Sequence, residues 1–365
     1  MSALRRDRAG QGSAAAPLGL AIDTTFDDTS VALLRGRREV LANVTLSQYA
    51  DHAEFGGVVP ERASRKHLEA IHPLVAAALR EAGRRGAPVR LEELDYVAVS
   101  NLPGLLGSIL VGMTVAKSLA YLLDVPLIGI NHIEAHPYAN VLEHGDLPFP
   151  LVHLVAAGGH TVLIHQEAHF DWRIVGRSVD DAAGECVDKV AKMFGHPMPG
   201  GPVVDRLAME HEPGPYDFPR PMLADPGLDF SFSGLKTAVL YFLRRRGLAP
   251  DGRSAAGGAA MGTEEQGPVL AAFFAAVADV LVGKTLRAAR QLGVPGVTVS
   301  GGLAASRKLR QRFEAACAEA GLALYYPPPR LCTDNAAMVG CLAAHRYEAG
   351  LFDDLTLEGY PNLPM

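Results

Sequence analysis

The chain has 365 residues, of which 48% are hydrophobic, and carries a net charge of −6. This size supports a large core and two or three domain-sized units, while the acidic balance excludes a protein that coats nucleic acid by global charge and leaves only a local basic patch for RNA. The four cysteines, Cys186, Cys317, Cys332 and Cys341, show neither C-x-x-C spacing nor scaffold density, so a reducing, cytoplasmic location is expected. No uninterrupted apolar run approaches the roughly 20 residues needed to span a bilayer.

Residues 1–17 contain Arg5, Arg6 and Arg8 without the apolar stretch of a secretory signal, and read as a disordered tail. From Leu18 an apolar strand, a turn of short polar residues (Asp23 to Thr29) and a second strand follow one another. A strand over residues 96–100 leads to Pro103-Gly104, a helix over residues 106–123 and a short strand over residues 126–130. The same order restarts at Leu151: strand, Gly158-Gly159 turn, strand, and later a strand over residues 296–300, Gly301-Gly302, a helix from about Ser306 to Ala320 and a strand from Leu322. Strands alternating with helices imply a mainly parallel sheet covered on both faces, and the repeated order implies two halves, residues 18–150 and 151–341, around a central cleft. Residues 342–365 read as a C-terminal tail. An insertion over about residues 178–267 interrupts the second half and receives no fold assignment, its end being a surface loop rich in Gly, Ala and Arg.

Chemistry concentrates at a few points. His132 and His136 lie four apart after the 126–130 strand, so on a helix they share one face, the spacing by which a metal collects two imidazoles. The pair alone reads equally as two histidines satisfied locally at a helix start. Glu134 is rotated roughly 200° from His132, out of register for the general base of a zinc-protease helix. Cys332-Thr-Asp-Asn335 opens the final helix. Asp334 there is either an N-cap or a third metal ligand, and two imidazoles with one carboxylate would leave coordination positions open. Gly158-Gly159, Gly301-Gly302 and Gly200-Gly201-Pro202 would let a ligand approach backbone N–H groups, although each pair alone is no more than a tight turn. Asp180, Asp181, Glu185 and Asp188 crowd nine residues, with Asp181 suited to an N-cap. Phe230-Ser-Phe-Ser-Gly-Leu-Lys236 is an unusual sequence for an inert surface.

Together these segments resemble the tRNA N6-adenosine threonylcarbamoyltransferase family, bacterial-type branch, once described as O-sialoglycoprotein endopeptidases. The resemblance runs from Leu18 to about Leu351 and rests on Gly56-Gly-Val-Val-Pro-Glu61, the His132/His136 pair, Gly158-Gly-His-Thr161, Asp180-Asp-Ala-Ala-Gly-Glu185, Pro199-Gly-Gly-Pro202, Asp229-Phe-Ser-Phe-Ser-Gly-Leu-Lys236 and Cys332-Thr-Asp-Asn335. It implies a duplicated actin/Hsp70/sugar-kinase-like (RNase H-like) α/β fold. One divalent metal per subunit, Fe(2+), is implied at His132, His136 and Asp334. Substrate contacts are implied at Val155, Ala156, Ala157, Gly158, Gly159, Asp188, Gly201, Asp205 and Ser306. The implied reaction moves a threonylcarbamoyl group from threonylcarbamoyl-adenylate to N6 of adenosine 37 in tRNAs reading A-starting codons, releasing AMP. Asp27 is the residue chosen as base for the weakly nucleophilic exocyclic amine. The implied partners are tRNA, an inactive-like paralogous subunit and a P-loop ATPase subunit, with no membrane.

The chain departs from the family pattern in four places: Ser306 for asparagine, Ala157 for serine, Ala336 for glycine, and an opening Asp23-Thr-Thr-Phe-Asp-Asp-Thr29 for Glu-Thr-Ser-Cys-Asp-Glu-Thr. Two other readings compete: a non-catalytic ATP-binding regulatory module, since fold does not fix function, and a metallopeptidase, against which the register of Glu134 argues.

Overall fold

The computed structural model describes residues 16–52, 55, 57–248 and 261–362. Most of the basic tail, Gly56 of the first family motif and residues 249–260 of the expected surface loop lie outside them. The chain forms two compact units, one reaching Asp146 and resuming at Asp334, the other Leu147–Thr333.

The first unit contains β1 (Leu18–Asp23), β2 (Asp28–Arg35), β3 (Glu39–Ser47), α1 (Tyr49–His52), α2 (Pro60–Arg84), β4 (Tyr96–Leu102), α3 (Leu106–Leu123), β5 (Leu127–Asn131) and α4 (His132–His144). Its sheet runs β3-β2-β1-β4-β5. The pairs β1–β2 and β2–β3 are antiparallel, while β1–β4 and β4–β5 are parallel. The second unit contains β6 (Leu151–Ala157), β7 (His160–Ala168), β8 (Asp171–Arg177), α5 (Ala183–Met193), α6 (Gly201–Glu210), α7 (Ser233–Arg245), α8 (Thr263–Leu292), β9 (Gly296–Ser300), α9 (Arg307–Ala320) and β10 (Ala323–Tyr325). Its sheet order, β8-β7-β6-β9-β10, repeats the first with the same senses. The duplicated α/β plan is therefore present. The expected mainly parallel sheet is corrected to a mixed one, because the two-residue and short polar turns after the first strand of each unit fold back as hairpins.

The matched glycines of the two repeats do the same physical job. A Cβ on Gly104 would lie 2.4 Å from the carbonyl oxygen of Thr25, just beyond β1, and one on Gly301 (φ +89°) would lie 2.4 Å from that of Ala156 near the end of β6. In each unit the loop after the second parallel strand therefore presses onto the backbone at the end of the first, where only glycine fits.

The C-terminal segment is not a tail. α10 (Ala336–Glu348) packs on β1 and β2 of the first unit, and every residue from Ala336 to His345 is buried. The expected final helix therefore runs past Cys341 into the segment read as a tail; enclosed all round, it carries no polar stripe to mark its extent. The unassigned insertion contains α5, α6 and α7. Two helices, Leu106–Leu123 and Glu264–Leu292, are also long and apolar enough to cross a membrane, which counting uninterrupted runs overlooked. In the second, 83% of the most apolar 18-residue window is buried, as in a core helix.

Candidate metal centre and glycine turns

β1 and β5 flank β4, and both end in polar residues on the same side of the sheet. β1 delivers Asp23, Thr24 and Thr25, all buried; β5 runs directly into α4, whose first residue is His132. Asn131 caps α4 by accepting from the N–H groups of Ile133 (2.9 Å) and Glu134 (3.3 Å). The helix continues through Pro137, which sits beyond the first turn, yet His132 and His136 remain neighbours with ring centroids 4.9 Å apart.

Asp334, at the start of the segment leading to α10, joins them. Its two carboxylate oxygens lie 3.4 Å from Nε2 of His132 and 3.4 Å from Nε2 of His136. The ligand atoms of all three residues fall within 4.8 Å of one another. Metal–ligand bonds of about 2.1 Å place neighbouring donors roughly 3.0–3.5 Å apart, so both separations suit a shared ion. His136 is wholly buried, and neither of its ring nitrogens makes a hydrogen bond, including the one facing Asp334. A buried imidazole aimed at a carboxylate without bonding to it is the arrangement expected of two ligands that share an ion. The residues present therefore fit a divalent metal. Asn335, and not Asp334, is the N-cap of α10, accepting from the Met338 N–H at 3.1 Å, so Asp334 is left to the histidines.

Electrostatics follow the geometry. Burial opposes a charge on His132, but the carboxylates of Asp23 and Asp334 on either side raise its pKa well above the usual histidine value. Burial lowers that of His136. Asp334 is held well below the usual carboxylate range by the two histidines, against the cost of its burial. Without a metal, the two carboxylates thus favour the charged form of His132.

Asp27 ends the β1–β2 turn and Asp28 opens β2. Burial raises both pKa values, the charge on Asp334 adds to the effect, and Asp28 is pushed up to about 7, despite a hydrogen bond with Ser47 that opposes the shift. A carboxyl titrating near neutrality is suited to proton transfer. Reasoning from sequence chose Asp27. The structure adds Asp28, whose Oδ1 is buried without a partner.

In the second unit the expected substrate residues fall into two groups. Val155, Ala156 and Ala157 are buried in β6, so their side chains belong to the core, whereas Gly158 (φ +47°), Gly159 and Gly201 have open space where a Cβ would stand. The remainder hold one another. Asp188 on α5 accepts from the N–H groups of Gly200 (2.7 Å) and Gly201 (3.2 Å) at the start of α6. Asp205 on α6 accepts from the Ser306 hydroxyl (2.6 Å) and from the N–H groups of Lys308 (3.0 Å) and Arg307 (3.2 Å) at the start of α9. Ser306 in turn caps α9 by accepting from the Leu309 N–H at 3.0 Å. These polar residues set the helix N-termini of the unit, where anions are favoured.

The acidic run and the serine–phenylalanine segment form a clamp. Asp180 accepts from the hydroxyls of Ser231 and Ser233 (both 2.6 Å) and from the N–H groups of Phe232 (2.8 Å) and Ser233 (3.2 Å). Phe230 and Phe232 are core residues. Asp181 is not an N-cap: it pairs with Lys189 at 3.0 Å and with Lys236, while α5 is capped from a neighbouring strand by Thr161, which accepts from the Ala183 N–H at 2.9 Å.

Comparison with known proteins assigns the chain to a family. A family profile described as tRNA N6-adenosine threonylcarbamoyltransferase matches residues 39–341. Proteins of that name from Moorella thermoacetica and Syntrophotalea carbinolica are 46% and 44% identical, each over 95% of this chain and 96% of its own length. That of Staphylococcus carnosus is 42% identical over 94% of this chain and 95% of its own. Among solved structures, full-length HypF aligns with a TM-score of 0.56 at 14% identity over 92% of this chain and 47% of its own. Component A of (R)-2-hydroxyglutaryl-CoA dehydratase from Acidaminococcus fermentans aligns with a TM-score of 0.51 at 12% identity over 91% of this chain and 99% of its own. At such low identity these two speak for the actin-like fold alone.

Proposed function

The chain belongs to the tRNA N6-adenosine threonylcarbamoyltransferase family, and from that premise we propose how its own residues carry the reaction. It is an acyltransferase that forms threonylcarbamoyladenosine in tRNA, moving the threonylcarbamoyl group from its adenylate to N6 of adenosine 37. The observation that carries the site assignment is the convergence of His132, His136 and Asp334 within 4.8 Å. Those residues hold one divalent metal. Two imidazoles and one carboxylate with open positions favour Fe(2+), a reading the family resemblance supports. Bound there, the metal supplies Lewis-acid polarisation of the carbamoyl oxygen.

The open turns at Gly158-Gly159 and Gly201 bind the adenylate and orient it for attack. Asp27 or Asp28 takes the proton released when the adenosine amine attacks, and the raised pKa of Asp28 favours the latter for that step. The target base leaves its stack in the anticodon loop before it can react. A cytoplasmic setting, with an inactive-like paralogue and a P-loop ATPase as partner subunits, suits an acidic chain that gains from help in gripping tRNA. Incubating the purified chain, with and without those partners, with threonylcarbamoyl-adenylate and unmodified tRNA tests the reading. Mass analysis of the digested nucleosides should give the modified adenosine, and an iron-loaded sample that forms none with the partners present refutes it.

A further inference from the structure

We infer that Asp23 is a positioning residue that, locked by Thr25, fixes the tautomer of His132 so that Nε2 carries the lone pair facing Asp334. The inference rests on the metal reading of His132, His136 and Asp334 and assigns them a support that their own spacing does not reveal.

The three residues concerned are buried: Asp23 is 2% exposed, Thr25 1% and His132 1%. Oδ2 of Asp23 lies 2.8 Å from Nδ1 of His132. Oδ1, the other carboxylate oxygen, accepts two hydrogen bonds from Thr25, one from its N–H at 3.2 Å and one from its hydroxyl at 3.0 Å. A carboxylate only accepts, so when the ring is neutral, as a metal ligand must be, its proton lies on Nδ1 and its lone pair on Nε2, the nitrogen 3.4 Å from Asp334. This is the relation by which a carboxylate behind a ligating histidine sets ring orientation and basicity. The sheet fixes the pair in place: Asp23 ends β1 and His132 follows the end of β5, both strands running parallel to β4 between them.

Thr25 makes the inference testable, because its N–H cannot become an acceptor. In Asp23→Asn, the amide oxygen must face Thr25, and the amide NH2 must therefore face His132. That donor demands a bare Nδ1 and moves the imidazole proton to Nε2, where a metal has to bind. Asp23→Ala removes the anchor but leaves Nδ1 beside the Thr25 hydroxyl, 3.2 Å away, which can still accept its proton. The isosteric variant should therefore be the worse of the two, opposite to the order a purely space-filling role predicts.

The experiment is anaerobic titration of metal-free protein with Fe(2+), and separately with Zn(2+), against a competing chelator. Loss of a residue behind a metal ligand lowers affinity by about 10–100-fold. Asp23→Ala should fall in that range and Asp23→Asn below it, while Asp23→Glu recovers part of the loss by restoring an acceptor. Equal affinities for Asn and Ala, or tighter binding by Asn, overturn the inference. A second measurement needs no variant: long-range proton–nitrogen correlation on histidine-labelled, Zn-loaded wild type should show His132 protonated at Nδ1. Protonation at Nε2 refutes the assignment even if the Asn variant fails to fold. Wild type that holds neither metal overturns both this inference and the metal reading. Normal metal binding without transferase activity would count against the proposed reaction and leave Asp23 in its role.

Discussion

Ser306 is the position at which the expected substrate contact and the observed structure diverge most usefully. Its hydroxyl donates to Asp205 at 2.6 Å and accepts from the Leu309 N–H at 3.0 Å, in a site only 7% exposed. Both functions of the side chain are thus used inside the protein. Ser306→Ala removes an N-cap, worth about 1 kcal/mol, and one of three donors to Asp205, worth about 0.5–1.5 kcal/mol. The sum, roughly 1.5–2.5 kcal/mol, should raise the opening of the first turn of α9 by about 10–70-fold. Hydrogen exchange of peptides covering Leu309 and its neighbours measures that directly. Ser306→Asn keeps a cap of equal quality and offers Asp205 an amide donor, so exchange should stay within about threefold of wild type. Binding of a non-hydrolysable adenylate analogue should also stay within tenfold for the Asn variant. Unchanged exchange in the Ala variant would refute the capping argument, and a larger loss of analogue binding in the Asn variant would show a pocket built around serine.

Alanine at His132, His136 or Asp334 should each abolish metal retention through anaerobic desalting, read by elemental analysis; a variant that keeps stoichiometric metal removes that residue from the ligand set. Because Asp23 and Asp334 favour the protonated form of His132 in the metal-free cluster, metal binding should release a proton, so affinity rises with pH, by up to about one decade per unit below the raised pKa. Calorimetry in buffers of different ionisation enthalpy counts that proton, and zero release contradicts the assignment. Asp28 binds its proton more tightly folded than unfolded, so its contribution to stability falls as pH rises from about 4 through about 7. Asp28→Asn should therefore raise the melting temperature of the metal-free protein more at pH 8 than at pH 5, while slowing transfer; an equal shift at both pH values would mean that Asp28 is not perturbed.

The duplication was legible because its signals are local. Glycines sit where a loop presses on a strand end, as at Gly104 and Gly301, and the strands beside them are apolar runs. The metal ligands were legible in part: the four-residue spacing of His132 and His136 lies on one helix, while Asp334 read as either an N-cap or a third ligand until the resemblance chose between them. Asp23 was not seen as their support, since 109 residues separate it from His132 and nothing in a lone aspartate at a strand end names its partner. The clamp of Asp180 on Ser231 and Ser233 and the bond from Ser306 to Asp205 escaped for the same reason, spanning 51 to 101 residues. The final helix was expected after Asn335, but its extent past Cys341 was read as a tail because burial on every side erases helical periodicity; the insertion received no fold because irregular stretches separate its three helices.

The central claim is that this chain, through His132, His136 and Asp334, performs metal-assisted transfer of threonylcarbamoyl to tRNA. Its most direct test is single-turnover reaction of iron-loaded wild type and Asp334→Ala with threonylcarbamoyl-adenylate, unmodified tRNA and the partner subunits, the modified nucleoside being quantified by mass spectrometry. The account predicts product from wild type and a loss of at least about a hundredfold in Asp334→Ala, on the scale of losing one transition-state stabilising group. Equal rates from the two proteins would contradict it.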